Sequence, residues 1–355
     1  MDLNRLFYLF QEGPYTLKLF AYGLSTFYFG GLRLHQFLYK SGLLSQKKLP
    51  SKIISIGNLS VGGSGKTPFV IFLAKFFKSM GEKVIVVTRG YKSQSKSFIV
   101  SDGNKIYLTA KQAGDESYLL ASNLKGIPVL KGKNRYKAIK LAYKYFSPKI
   151  VILDDAFQHY ALKRDIDIVL LNAKNPFGNG YLLPRGILRE PISALKRAHA
   201  VIITKVRHER EIKNFRNFLK KNFSHLAIFN AFSYINKIFN LKGESFDPFM
   251  LYNKPCLIFC GLANPKNFYE TCEELNIKII KFFSYPDHYF YTEKDIKNLI
   301  KMAKIFGAEA LVTTEKDAVK LKSFNFDYPL YYLQLEIKLY QEEAFKKWII
   351  KKLAF

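Results

Sequence analysis

Cysteine is scarce in this 355-residue chain, which has only three. Cys256, Cys260 and Cys272 include no C-x-x-C pair. Neither a disulfide framework nor a cysteine zinc site can be built from them, so a reducing compartment fits best. Acidic residues are few as well: 28 Asp+Glu against 56 Lys+Arg leave a formal charge of +28. That balance excludes an acidic, solvating chain and favours an anionic partner, whether nucleic acid, an acidic membrane surface or a phosphorylated substrate. The chain is also rich in Lys, Phe, Tyr, Ile and Asn, so biased genome composition is a second source for part of the charge. No secretory leader is expected, because Asp2 and Arg5 precede no short apolar run with a small-residue cleavage site. No repeat of 20–50 residues and no low-complexity tract is visible. With 48% hydrophobic and 24% charged residues, the chain lies far from the disorder signature. Its length allows about two domains at roughly 150 residues each.

A membrane-spanning helix is not expected either. Leu19–Leu32 (LFAYGLSTFYFGGL) is uncharged and aromatic, but its 14 residues fall short of the roughly 20 needed to span. A helix lying in the interface suits it better. Phe20, Tyr22, Phe27, Tyr28 and Phe29 would sit at headgroup level, with Lys18, Arg33 and Lys40 facing lipid phosphates. A helix packed on the protein's own core is the alternative.

The pattern beyond it is α/β. Lys52–Ile56 reads as a buried strand, followed by a Gly-rich loop and a helix from about Thr67 to Met80, with Pro68 in its first turn and Gly81 past its end. Val84–Thr88, Ile150–Leu153, Ile166–Leu171 and Ala200–Thr204 read as further apolar strands, with helices near 111–123 and 134–146 between them. Short apolar strands alternating with helices predict a mainly parallel sheet covered on both faces. After about Arg207 comes a polar Lys/Asn/Phe stretch, then extended ribbon over Ala227–Phe239. A second α/β pattern runs through Lys254–Cys260, Ile277–Phe282 and Ala310–Thr314, before a half-buried strand at Leu333–Leu339 and a helix at Glu342–Lys352. The expected division is therefore an N-terminal membrane-interface region (1–40), a phosphate-loop domain (41–223), a β-ribbon linker (224–249), a smaller α/β domain (250–330), and a strand and helix returning toward the first domain (331–355).

Gly57–Thr67 (GNLSVGGSGKT) carries the strongest chemical signal. A phosphate loop needs small residues whose backbone N–H groups wrap phosphate oxygens. It also needs a Lys for the β/γ oxygens and a Ser/Thr hydroxyl for Mg²⁺, all at a helix N-terminus. Gly62, Gly63, Gly65, Lys66 and Thr67 fit, with Ser60, Val61 and Ser64 completing the loop; Ser60 stands where the strict pattern has its first Gly. Ile150–Asp155 (IVILDD) is an apolar strand ending in carboxylate, which places Asp154 or Asp155 near magnesium. Guanine readers need N/T-K-x-D; here Thr204-Lys205 is followed by Arg207 where the Asp belongs, and TTEKD (313–317) has the wrong spacing. ATP is favoured. Asp115 and Glu116 in AGDE, Arg189 and Glu190 in LREP, and Asp287 and His288 in SYPDHY are further candidates. A kinase acting on an alcohol needs a base within hydrogen-bond reach, and Asp115 with His288 could supply it across an interdomain cleft, although spacing alone does not pair them.

In combination these segments resemble the tetraacyldisaccharide 4'-kinase (lipid A 4'-kinase) family. The resemblance rests on GNLSVGGSGKTPF (57–69), TRGYK (88–92), AGDE (113–116), NRY (134–136), LDDAFQH (153–159), RD (164–165), LLPRGILREP (182–191), FCGLANP (259–265), FSYPDHY (283–289) and TTEKDAVK (313–320), in the family's order. Ala156 replaces the usual Gly; Ser60 is no departure within the family. The resemblance implies a P-loop kinase moving the γ-phosphoryl of ATP to the 4'-hydroxyl of a tetraacylated glucosamine disaccharide 1-phosphate in lipid A biosynthesis. It further implies a peripheral protein at the cytoplasmic face of the inner membrane. Carried over, Asp115 is the base and His288 its partner, with Lys66 on the β/γ-phosphates and Arg189 a further catalytic residue near the metal. Thr67, Asp154, Asp155, Glu190 and Glu116 are at or near Mg²⁺, and Arg89, Tyr91, Arg135, Gln158 and His159 are at the disaccharide. The expected partners are the acylated disaccharide phospholipid and the membrane surface, with no nucleic acid and no obligate protein partner. A P-loop switch and a nucleic-acid-binding ATPase are the alternatives. Closure of the second domain before chemistry is a further expectation.

Overall fold

A computed structural model of the chain describes residues 9–354. Residues 1–8, which include Asp2 and Arg5, lie outside the described residues. In chain order the strands are β1 (Lys52–Gly57), β2 (Val84–Thr88), β3 (Ile99–Ser101), β4 (Val129–Lys131), β5 (Ile150–Asp154), β6 (Ile166–Asn172), β7 (Ala200–Thr204), β8 (Ala227–Asn240), β9 (Ser245–Phe246), β10 (Pro255–Cys260), β11 (Lys278–Ser284), β12 (Ala310–Thr314) and β13 (Leu330–Leu339). The helices are α1 (Tyr15–Lys40), α2 (Lys66–Ser79), α3 (Ala110–Ala113), α4 (Asp115–Asn123), α5 (Arg135–Phe146), α6 (Lys213–Asn222), α7 (Pro265–Glu274), α8 (Glu293–Ile305), α9 (Glu315–Leu321) and α10 (Glu342–Leu353).

Two compact units divide these elements. Among the described residues the first comprises those up to Arg89, Gly132–Phe232 and those from Lys338 onward; the second comprises Gly90–Lys131 and Ser233–Ile337. Two of the four boundaries thus fall inside β8 and β13. Gly90–Lys131, expected within the 41–223 domain, groups instead with Ser233–Ile337.

In the first unit the strands run in the order β8-β7-β6-β1-β5-β2, and each neighbouring pair is parallel. A parallel sheet is buried on both faces, which is why these strands read as unbroken apolar runs. Ile53, Ile54 and Ile56 of β1 are fully covered, as are Phe69, Leu73 and Phe77 of α2. The register Ile56↔Asp154 brings the carboxylate end of β5 level with the start of the Gly-rich loop.

In the second unit β11-β10-β12-β13 are parallel neighbours, and β8 turns back into β9 as an antiparallel ribbon. Cys256, Cys260 and Cys272 are fully buried in one core cluster with Ile258, Phe268 and Val312. Burial pushes the Cys256 and Cys260 thiols up to about 12, so all three pack as small hydrophobes.

Three local differences from the sequence reading have physical causes. The helix expected over 111–123 is broken at Gly114, whose φ of +84° ends α3 and starts α4. The polar stretch after Arg207 forms α6, of which only Leu219 is buried. And α1 extends over 26 residues although only Ala21 and Ser25 are buried along it. Its outer face shows Leu19, Phe20, Tyr22, Phe27, Leu34 and Phe37, with Phe27 85% exposed. Among the described residues no helix is long and apolar enough to cross a membrane.

Candidate active site

In the first unit the Gly-rich loop is pinned from two sides. Val61 N–H donates to Ile187 O at 2.9 Å and Arg189 N–H to Leu59 O at 2.6 Å, while Ser60 and Leu188 form an antiparallel bridge. From β7, Thr204 Oγ1 donates to Ser64 O at 3.0 Å. Thr204 therefore braces the loop. Gly65, at the N-cap of α2, has φ +80°, a left-handed conformation that Gly adopts without strain and that lets the backbone enter the helix with its N–H groups free for an anion.

Pairing of the loop with residues 187–189 has a chemical result. Arg189 Nη1 lies 2.9 Å from both carboxylate oxygens of Asp155, and Lys66 Nζ lies 3.5 Å from Asp155 Oδ1. Burial alone would raise the Asp155 pKa, but the Lys66 and Arg189 charges outweigh it and hold the carboxyl at about 2. One carboxylate thus keeps two cations in place beside the Gly-rich loop.

Asp154 is buried at the end of β5. Glu190 is fully buried, with Oε1 accepting from Arg197 Nη2 at 2.6 Å and Oε2 accepting from Tyr160 OH at 2.8 Å and Gln36 Nε2 at 3.2 Å. Its carboxylate is held in place by those three donors. Glu116 belongs to the second unit, whereas Thr67, Asp154 and Asp155 belong to the first. Among the described residues no group of three or more His, Cys, Asp or Glu could hold a metal by itself. A nucleotide-bound Mg²⁺ asks for less: one or two carboxylates, phosphate oxygens and water. Thr67, at the start of α2, and Asp154 and Asp155, level with that loop through the β1–β5 register, offer the hard oxygen donors this ion takes.

Of the expected disaccharide residues, Arg89, Arg135, Gln158 and His159 lie in the first unit and Tyr91 in the second. Burial lowers Arg135 to about 10, with Asp154 and Asp155 opposing the fall. Burial also lowers His159 to about 4, helped by the Arg135, Arg164 and Arg89 charges. Gln158 Nε2 donates to Asn58 O at 3.0 Å.

The second unit holds the Asp–His pair. Asp115 opens α4 and is 4% exposed, and its Oδ2 lies 2.7 Å from His288 Nδ1. The turn before it requires glycine, since a Cβ on Gly114 would come within 2.5 Å of Tyr91 O. Burial pushes Asp115 up, but the His288 hydrogen bond and the Lys316 charge carry it below the ordinary carboxylate value. The Tyr91 ring lies 5.2 Å from the His288 ring, inclined at 55°.

Sequence reasoning missed Lys316, which donates to Asp287 Oδ1 at 3.0 Å, and the Arg197–Tyr160–Gln36 set around Glu190. The signal for Lys316 was present: a Lys between Glu315 and Asp317 on a short helix whose Thr314 N-cap accepts from Asp317 N–H. No comparable local signal joins Gln36 to Glu190, which are brought together by the fold alone.

A phosphate loop serves switches and motors as readily as kinases, but neither needs a base for an alcohol. Comparison with known proteins places the chain among the P-loop phosphotransferases acting on hydroxyl groups. A family model described as tetraacyldisaccharide-1-P 4'-kinase matches residues 17–354, and the chain belongs to that family. It is 39% identical over 319 residues to the tetraacyldisaccharide 4'-kinase of Desulfotalea psychrophila, covering 88% of this chain and 91% of that one. It is 37% identical to the enzyme of the same name from Halothermothrix orenii, covering 86% and 85%. Among solved structures, the LpxK of Aquifex aeolicus in complex with ATP is 34% identical and superposes with a TM-score of 0.75 over 93% of this chain and 97% of that one. The chain is accordingly an ATP-dependent kinase that phosphorylates the 4'-hydroxyl of its acylated disaccharide 1-phosphate substrate in lipid A biosynthesis. The readings as a switch or a nucleic-acid-binding ATPase are set aside.

Proposed function

We propose that Asp115 is the general base of this transfer and that the enzyme works as a peripheral protein at the cytoplasmic face of the inner membrane. The observation that carries the first part is the 2.7 Å contact between Asp115 Oδ2 and His288 Nδ1 in a buried setting. The substrate 4'-hydroxyl gives its proton to Asp115 as the oxygen attacks phosphorus, and His288 keeps the carboxylate oriented. Lys66 and the loop N–H groups bind the β/γ-phosphates, and Arg189 balances charge as the γ-phosphoryl departs. Thr67 with Asp154 or Asp155 would hold Mg²⁺, which when bound would supply positive charge to the phosphate oxygens. Arg89, Tyr91, Arg135, Gln158 and His159 are assigned to the disaccharide and its 1-phosphate. Glu116 is left as a charge near the base.

The membrane assignment is supported by the substrate's four acyl chains, each buried CH₂ being worth about 0.8 kcal/mol in the bilayer. The aromatic outer face of α1 and the charge of +28 support it as well. The experiment is transfer of γ-labelled phosphate from ATP to tetraacyl disaccharide 1-phosphate in mixed micelles, with Lys66→Ala as control. Label in the lipid that disappears in the variant is expected. Asp115→Asn should lower kcat by about 10²–10⁴ while nucleotide binding, followed by fluorescence titration, is retained. Wild-type turnover in that variant would remove Asp115 as base.

A further inference from the structure

In the first unit, Asp155 holds a backbone conformation that its own chemistry does not favour. Its φ is +49°, a left-handed value that a non-glycine residue keeps only where its surroundings over-determine it. Lys66 and Arg189 fix the carboxylate. The chain just beyond it is fixed by other means. Ala156 N–H donates to Ile56 O at 3.1 Å. Phe157 lies so close to the end of β1 that a Cβ on Gly57 would come within 2.6 Å of Phe157 Cβ.

Phe157 also meets Arg197, which closes the short 3₁₀ turn Ile192–Arg197. The guanidinium carbon lies 3.7 Å from the centroid of the Phe157 ring. Nη2 carries two protons and directs them to two acceptors, Phe157 O at 3.1 Å and Glu190 Oε1 at 2.6 Å. Phe157 stands two positions after Asp155, and Glu190 directly follows Arg189. One side chain therefore bridges the two segments that carry the Asp155–Arg189 ion pair, in parallel with the pair itself. Glu190 is fully buried, so this end of the bridge is a charged hydrogen bond shielded from water, the stronger kind.

We infer that Arg197 is a positioning residue for the transfer: its guanidinium fastens the backbone after Asp155 to Glu190, and so holds Arg189 Nη1 at 2.9 Å from both Asp155 oxygens. The inference rests on the reading of Arg189 as the cation that balances charge on the departing γ-phosphoryl. Lysine is no substitute at 197. An ammonium is a compact point charge with no plane to lie on the Phe157 ring, so it can face Glu190 while the hold on Phe157 is lost. A misplacement of about 1 Å at a group that meets the transition state costs roughly 100-fold in rate.

The test uses Arg197→Lys in the full-length enzyme, because this change leaves no uncompensated charge beside Glu190. In transfer of γ-labelled phosphate to the micellar lipid, kcat should fall roughly 10–100-fold with KM for ATP unchanged. The effect runs through Arg189. Arg189→Ala should lower kcat by itself, and adding Arg197→Lys should lower it little further, since residues acting as one unit are not additive. Wild-type kcat in Arg197→Lys, or two losses that multiply independently in the double variant, overturns the inference. Should Arg197→Lys fail to fold, Phe157→Leu, which removes the ring and leaves the Arg197–Glu190 pair, carries the same expectations and the same grounds for rejection. Failure of the underlying reading is separable. Wild-type kcat in Arg189→Ala removes Arg189 from the chemistry, while a crystal structure of Arg197→Lys still decides whether Arg197 positions it: Arg189 should leave Asp155, and an unmoved pair overturns the inference.

Discussion

Asp115 and His159 show how burial and neighbouring charge set opposite outcomes for two titrating groups. Burial opposes the charged form of both. Asp115 has a hydrogen-bonded imidazole and an ammonium beside it and stays ionised. His159 has Arg135, Arg164 and Arg89 around it, so every contribution named pushes its pKa down, to about 4. A histidine depressed in the folded state binds fewer protons than the unfolded chain between about pH 6.5 and 4. Its contribution to stability is therefore complete above pH 6.5 and is lost as the pH falls through that window. The loss is on the order of 2 kcal/mol once partial exposure is discounted. The chemical-denaturation midpoint should fall from pH 6.5 to pH 4, and His159→Gln should flatten that fall. An unchanged slope in the variant would assign the effect to other groups.

At the level of elements, the parallel strands and their flanking helices were readable because buried strands must be continuous apolar runs. Val84–Thr88, Ala200–Thr204 and Ala310–Thr314 begin and end where the pattern placed them. The break at Gly114 was not readable, since one glycine in a helical run does not announce a left-handed φ. Nor was α6, where Lys and Asn hide a single buried Leu219. The phosphate loop was legible for a different reason: its chemistry needs specific residue types at fixed spacing. The ties of Glu190 to Gln36 and Tyr160 span 154 and 30 residues, and neither they nor the nearer tie to Arg197 carry a local signature. The outer face of α1 leads to a prediction at this scale. Phe27, 85% exposed, has no packing role, so Phe27→Asp should leave the unfolding midpoint unchanged. It should cut partitioning onto anionic vesicles roughly tenfold or more, because burying a Phe side chain is worth about 2–3 kcal/mol. Unchanged sedimentation with vesicles would take α1 out of membrane attachment.

Taken as a whole molecule, a chain with 56 basic residues and 28 acidic ones should feel ionic strength. Each Lys or Arg near an anionic leaflet contributes about 1 kcal/mol, and the attraction fades beyond a Debye length. Raising salt from 50 to 500 mM (arbitrary low and high settings, roughly 14 and 4 Å of screening) should release the protein from anionic vesicles while phosphoryl transfer to micellar substrate persists. Salt-insensitive binding would leave the attachment to the aromatic residues alone. The helix that carries those aromatics does a second job. Ser25 Oγ donates to Leu182 O and accepts from Arg185 N–H, Tyr28 OH donates to Arg189 O, and Gln36 donates to Glu190. The segment it touches is the one that carries Arg189 to Asp155. Trimming the N-terminus to obtain a detergent-free enzyme would therefore strip partners from the backbone beside the phosphate loop, and the shortened protein would report a crippled rate as though the lipid surface were required for chemistry. Replacing outward-facing aromatics one at a time, with Ser25, Tyr28 and Gln36 untouched, separates solubility from turnover.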